Sequence, residues 1–544
     1  MQFVWQQSYT PLAGSTGWSA LAAALPIFVL LFLLGIRRKP AWMAGLAGLA
    51  AAIVVAGAVY RMPPGMILSA ALYGAAFGLF PIGWITLCAI LLYRLTVETG
   101  QFELIRASIG GVTADRRLQA LLIAFAFGAF IEGAAGSGVP VAVAAAMLAG
   151  LGFPPFHAAG ICLLANTAPV AYGAIGTPIL TLAGTTGLPL GRLSAAVGRI
   201  CAPISLIVPA YLTVLMAGWR GSRSVIPAIL VCGVSFATVQ FLVSNFVGPQ
   251  LTDILGSLAA MGLLLLLFRF WRPKDQGRWE NTTPEPPGSG AYSRAQLLRA
   301  WTPYALLAAC VLIWGSPRVH SALGSVTWSF EWPGLHNTVE RIPPIVKAPA
   351  PYRAVYDFDW LACAGTACLI AGILAAGFLR VSPRQYGRVF AGTLRQMRVP
   401  LVTIAAVLGL AFLMNYSGQT ATLGLAFAAT GKLFPYFSSM LGWLGVFLTG
   451  SDTSSNALFG NLQVVAANRL GLNPILMASS NSSGGVMGKM ISLQSIAVAV
   501  AATGMQTSDE AKLFRFTLRH SVLLASLIGL LTTCYAYVVP DWVP

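Results

Sequence analysis

Apolar runs, many close to the roughly twenty residues that a helix needs to cross a hydrocarbon core, fill most of the chain. Read by that length rule, they predict twelve transmembrane helices near residues 19–36, 41–60, 66–94, 157–182, 194–217, 224–246, 250–270, 301–315, 359–379, 400–415, 475–502 and 517–540. Two further apolar stretches, 118–150 and 440–470, are interrupted midway by Gly, Ser and Thr. Irregular backbone survives at membrane depth only where it is buried in protein or lines a cavity. Each interruption therefore predicts a re-entrant hairpin. The expected fold is an all-α polytopic membrane protein with two such hairpins.

Charge sets the sidedness. Basic clusters fall at 37–39, 94–117, 220–223, 269–299, 380–398 and 512–519. With hairpins that return to the side they left, twelve crossings put every cluster on one side, which the positive-inside rule makes cytoplasmic. Both termini and the 316–358 segment then lie outside. The same rule accounts for a net charge of +17 in 544 residues without a nucleic-acid partner. Only 9% of residues are charged against 57% hydrophobic, with a mean hydropathy of +0.76, so the surface faces lipid rather than water. The eight cysteines sit almost wholly inside apolar runs and read as small buried hydrophobes. Outside the spans, 95–117 reads as an interfacial amphipathic helix and 272–298, with its Pro and Gly, as a cytoplasmic linker.

The two hairpins are related. Gly133 and Gly450 stand 317 residues apart, and that offset also superposes 359–379 on 42–62, 400–415 on 83–98, Thr503-Gly504 on Thr186-Gly187 and 517–540 on 200–223. Three unpaired crossings separate the repeats, so the second is inverted relative to the first. Inverted repeats with interrupted helices are the usual construction of secondary transporters, with the site near the midplane. The organisation predicted is an N-terminal helix (1–40), a first repeat (41–223), linking helices (224–315, with a cytoplasmic loop at 271–300), an external loop (316–358) and a second repeat (359–544).

Chemistry concentrates at the interruptions. Of sixteen acidic residues, only Glu132 and Asp452 fall well inside apolar stretches, where a charge costs about 2.5–3.5 kcal/mol even on the lenient insertion scale. Asp253 stands near a span end. Each of the two acids is either a proton carrier or a carboxylate that accepts hydrogen bonds and holds its hairpin closed. Gly133, Gly136, Ser137 and Gly138 let the backbone turn and approach a ligand, and broken helices leave free N–H groups that favour an anion. Ser451, Thr453, Ser454 and Asn456 form the matching polar tip. Two more breaks carry Asn166-Thr167 and Asn481-Ser482, whose side chains can donate to a carboxylate. Lys489 lies inside the last of these spans, either as counter-charge for an anionic substrate or as partner to Asp452. No metal-ligand spacing, phosphate-binding loop or catalytic elbow is present, so neither cofactor nor enzyme chemistry is expected.

The stretches Ala129-Phe-Ile-Glu-Gly-Ala-Ala-Gly-Ser-Gly-Val-Pro140, Ala165-Asn-Thr-Ala-Pro-Val-Ala-Tyr-Gly-Ala-Ile-Gly-Thr-Pro178, Thr449-Gly-Ser-Asp-Thr-Ser-Ser-Asn456 and Ser480-Asn-Ser-Ser-Gly-Gly-Val-Met-Gly-Lys-Met490 resemble the bacterial L-lactate permease family over nearly the full length. The resemblance implies uptake of lactate, and of glycolate and other small 2-hydroxymonocarboxylates, with a proton across a bacterial inner membrane. It also implies kinship with carriers that work as elevators. In those carriers a Ser-Asn-Thr motif binds substrate and sodium, and Asn166-Thr167 and Ser480-Asn481-Ser482 are partial versions of it. Sodium-coupled carriage of a dicarboxylate is therefore one alternative, and a passive anion channel another. The expected partners are the substrate and membrane lipid, with a homo-oligomer allowed.

Overall fold

The computed structural model describes residues 4–136, 138–273 and 292–544. Among these, ten helices are long and apolar enough to cross a membrane, or twelve when each of two bent pairs is taken as one span. One of the ten, Arg116–Ala134, is the first arm of the first hairpin. The twelfth crossing expected from sequence, 359–379, is the shorter apolar helix Ala364–Phe378.

Two expected loops are partly helical. The basic cluster at 380–398 is the first half of a single helix, Pro383–Tyr416, that also contains the span expected at 400–415. Its start is set by Pro383 and by Ser382, whose hydroxyl accepts from the Gln385 N–H at 3.2 Å. No breaker intervenes before Pro400. Likewise, residues 294–298 of the expected linker form the first turn of Arg294–Gly315, closed by a capping box between Ser293 and Gln296. Residues 274–291 of that linker lie outside the described residues. The amphipathic helix expected over 95–117 narrows to Gln101–Gly110, because Pro64–Glu98 carries the third span through to Glu98.

Contacts fix which ends share a face. Arg117 at the base of the first hairpin donates to the Gly221 carbonyl at 2.6 Å, and Arg94 donates to Gln396 at 3.4 Å. These basic ends form one face. On the other face, Tyr60 donates to Thr422 at 2.9 Å, Gln7 donates to the Asn415 carbonyl at 2.9 Å, and Arg199 near its helix start stacks on Trp542 at the C-terminus.

The 316–358 segment, expected as a loop, is a folded cap on that second face. Trp328–Glu331 pairs antiparallel with Val355–Phe358, and Val339–Arg341 pairs parallel with the N-terminal Trp5–Gln6. Tyr73 packs among Trp332, Tyr356, Phe412 and Tyr416, which fastens the cap to Pro64–Phe77 and Pro383–Tyr416.

Left-handed glycines recur at close to the same offset, as Gly100 and Gly418, Gly152 and Gly471, and Gly187 and Gly504. Each member of a pair ends or begins the corresponding helix. The hairpins start from opposite faces and point toward each other.

Candidate functional site

The first hairpin runs in along Arg116–Ala134 and back along Val139–Gly150. Its turn relies on Gly136 and Gly138, with φ of 59° and 81°, values an L side chain adopts only at a cost. Ser137 between them lies outside the described residues. One turn before the tip is Glu132, 4% exposed, whose Oε2 has no hydrogen-bond partner among the described residues. The carboxylate lies against Gly173, where an added Cβ would stand 2.6 Å from Oε1.

Gly173 belongs to the first broken helix, which bends by 63° between Pro155–Ala165 and Val170–Thr186. At the break, Ala174, Ile175 and Gly176 all have positive φ, of 45°, 59° and 74°. Two non-glycine residues in that region cost about 1–2 kcal/mol each. Strain of this kind persists where the surroundings hold it, commonly at binding sites. Here it aims the break at Gly136 and Glu132.

The second hairpin, Phe434–Thr449 and Asp452–Leu470, turns at Gly450 (φ 71°). Ser451 caps the returning arm by accepting from the Ser454 N–H at 3.2 Å. Asp452 Oδ2 accepts from Ser482 at 2.6 Å and from Asn456 at 3.3 Å. Asn456 also donates to the Pro178 carbonyl of the first broken helix at 3.1 Å and accepts from Asn481 at 3.0 Å. Asn481 in turn accepts from Gln463. Lys489 sits in the single tight turn between the halves of the second broken helix and donates to the Gly450 carbonyl at 2.5 Å. Its ammonium acts on both Glu132 and Asp452 without a direct ion pair to either.

The two tips enclose a cavity of about 700 Å³ that continues past Thr86 and Tyr93 to Arg94, Glu98 and Gln396 at the basic face. Of the residues singled out from sequence, Glu132, Gly136, Ser451, Asp452, Thr453, Ser454 and Lys489 line it. Others stand behind the wall. Gly133 is a packing glycine, since a Cβ there would meet the Asp253 Cβ at 2.8 Å. Gly138 caps the returning arm. Thr167 gives its hydroxyl to the Leu164 carbonyl, and Asn166 is buried beside Glu132. Asn456, Asn481 and Ser482 support Asp452 rather than face the space.

Gly173, Thr177, Thr449 and Gly450 also line the cavity, from motifs noticed in the sequence but not assigned to the site, and so do Thr86 and Gln494, which sequence reading passed over. Gln494 carried a signal, an amide inside an apolar run; Thr86 carried almost none. Arg199 donates to Asn245 at 2.8 Å and to the Trp542 carbonyl.

The family model for L-lactate permease matches residues 19–539. The L-lactate permease of Bacillus subtilis (strain 168) is 47% identical over 565 residues, covering 99% of this chain and 100% of the relative. Glycolate permease GlcA of Escherichia coli (strain K12) is 46% identical, covering 98% of each chain. The L-lactate permease of that strain is 44% identical, covering 99% of this chain and 100% of its own. Matched over nearly its whole length, the chain belongs to the L-lactate permease family and is a membrane transport protein rather than an enzyme.

Proposed function

We propose that the protein imports lactate, glycolate and related small 2-hydroxymonocarboxylates together with a proton. The names of the relatives supply the substrate class. The observation that carries the reading is the pair of hairpin tips, which bring one acid each and a single Lys489 to one cavity. One buried ammonium matches one carboxylate, and the hydroxyls of Ser451, Thr453 and Ser454 can serve a 2-hydroxyl group. A dicarboxylate would call for a second deep cation, and the other cationic lining residue, Arg94, stands at the mouth.

Asp452 Oδ2 has two donors although its Oδ1 has none, and the proton is assigned to Glu132 as the acid that a second carboxyl adjoins. By the positive-inside rule the basic face is cytoplasmic, in the inner membrane of a bacterium, with both termini outside. The cavity then opens inward, and its confinement to one side supports alternating access over a channel. The long helices Pro64–Glu98 and Pro383–Tyr416 with the cap share a core against which hairpins and broken helices would slide, as in an elevator.

Uptake of labelled lactate by proteoliposomes tests this. An imposed inward proton gradient should drive accumulation and a sodium gradient should not. Glu132→Gln should lose gradient-driven uptake while still exchanging lactate. Gradient-driven uptake unchanged in that variant would sink the assignment of the proton to Glu132.

A further inference from the structure

The proton-coupling reading places the coupling acids on the two hairpins and leaves Asp253 unused. Asp253 lies in the first turn of Thr252–Phe270, a helix outside both repeats, and is 1% exposed. An acid at that position commonly spends its oxygens on first-turn amides. Here both carboxylate oxygens lack any hydrogen-bond partner among the described residues. The first hairpin approaches so closely that Gly133 has no room for a Cβ beside the Asp253 Cβ and Ile254. Glu132, the next residue along, also has an oxygen without a partner and acts electrostatically on Asp253.

The other titratable groups around the pair supply no cation to Asp253. Tyr172 faces it from the first break and Cys201 from Leu190–Arg223; Lys489 and Asn166 face Glu132, and Asp452 also faces Cys201. Two neighbouring buried carboxyls whose one nearby cation, Lys489, acts on Glu132 and is shared with Asp452 do not both ionise, and they titrate as a pair.

We infer that Asp253 and Glu132 form a carboxyl pair that binds one proton between them, with Asp253 positioning the proton on the substrate-facing acid. The inference rests on proton coupling through Glu132. Its chemistry is a single exchange, in which the proton taken up makes one O–H bond on the pair and leaves by breaking it. Sequence alone gave no reason to join these acids, because a helix of neither repeat carries one of them.

The test reads lactate exchange in proteoliposomes at equal pH on both sides, each variant scaled to its own maximum. For the wild type, exchange should fall at alkaline pH as the pair loses its proton. Asp253→Asn removes the like charge beside Glu132, so the fall should move toward acid by about one pH unit, a tenfold change in proton affinity. Asp253→Ser should give the same shift and is read where the amide destabilises the fold. Asp253→Glu should stay with the wild type. Glu132→Gln should be flat with pH, and adding Asp253→Asn to it should leave it flat.

Profiles of Asp253→Asn and Asp253→Ser that superimpose on the wild type would overturn the pair. So would a change in sodium dependence without a change in pH dependence. If instead wild-type exchange ignores pH and uptake ignores a proton gradient, it is the symport reading that fails.

Discussion

The two hairpins share a backbone plan and differ in how each treats its acid. In the second, Asp452 has Ser482 and Asn456 as donors, and Asn456 continues through Asn481 to Gln463. Each acid keeps one oxygen without a partner among the described residues, Asp452 Oδ1 and Glu132 Oε2, but Glu132 also has another acid for a neighbour. Donors on a buried carboxylate offset part of the cost of keeping it charged, and a neighbouring acid adds to that cost. Inverted repeats thus produce symmetry of the chain path without symmetry of charge.

Removing the shared cation should have the largest effect. Lys489→Met leaves both acids without compensation, and uptake and exchange should each fall by at least about a hundredfold, on the scale of isolating a buried charge. Exchange at wild-type rates would remove Lys489 from the site. Next comes the contrast between the acids themselves. Asp452→Asn should weaken half-saturation by lactate by about tenfold or more, the size of a charge-assisted hydrogen bond, yet keep the response to a proton gradient that Glu132→Gln loses. If the two variants behave alike, the hairpins are functionally equivalent and the comparison fails.

A smaller contrast lies within the first tip. Gly136→Ala must meet the Ala174 Cβ at 2.9 Å as well as adopt φ 59°, so thermal unfolding in detergent should show a loss greater than the about 1–2 kcal/mol of the backbone alone. Gly138→Ala, with nothing nearer than Val498 at 3.9 Å, should show only the backbone part. Least affected should be Thr167→Val. Its hydroxyl serves its own helix, and uptake should change by less than about fivefold, within a neutral hydrogen bond.

The legibility of the site follows the cost of each residue. Glu132, Asp452 and Lys489 stood out because charge in an apolar run is expensive, and all three line the cavity. Asp253 is as deeply buried but begins a helix, where an acid is ordinary, so its position along the chain concealed it. Gly133, Asn456, Asn481 and Ser482 read as lining because a stretch of polar and small residues does not say which of them faces inward. Thr86 reaches the cavity from a helix whose own pattern carries no mark of it.

What the sequence by itself determined is the kind of chain path: an all-α polytopic protein of membrane-length helices with interrupted, bent stretches between them. The bilayer enforces these locally, since every backbone polar group inside it must be satisfied within its own segment. What the tertiary structure alone decided is which acid is served by donors and which by another acid. That depends on contacts between segments far apart in the chain, the first hairpin at Gly133 with Asp253 and Asp452 with Ser482, and no local rule of helix length or charge counts them.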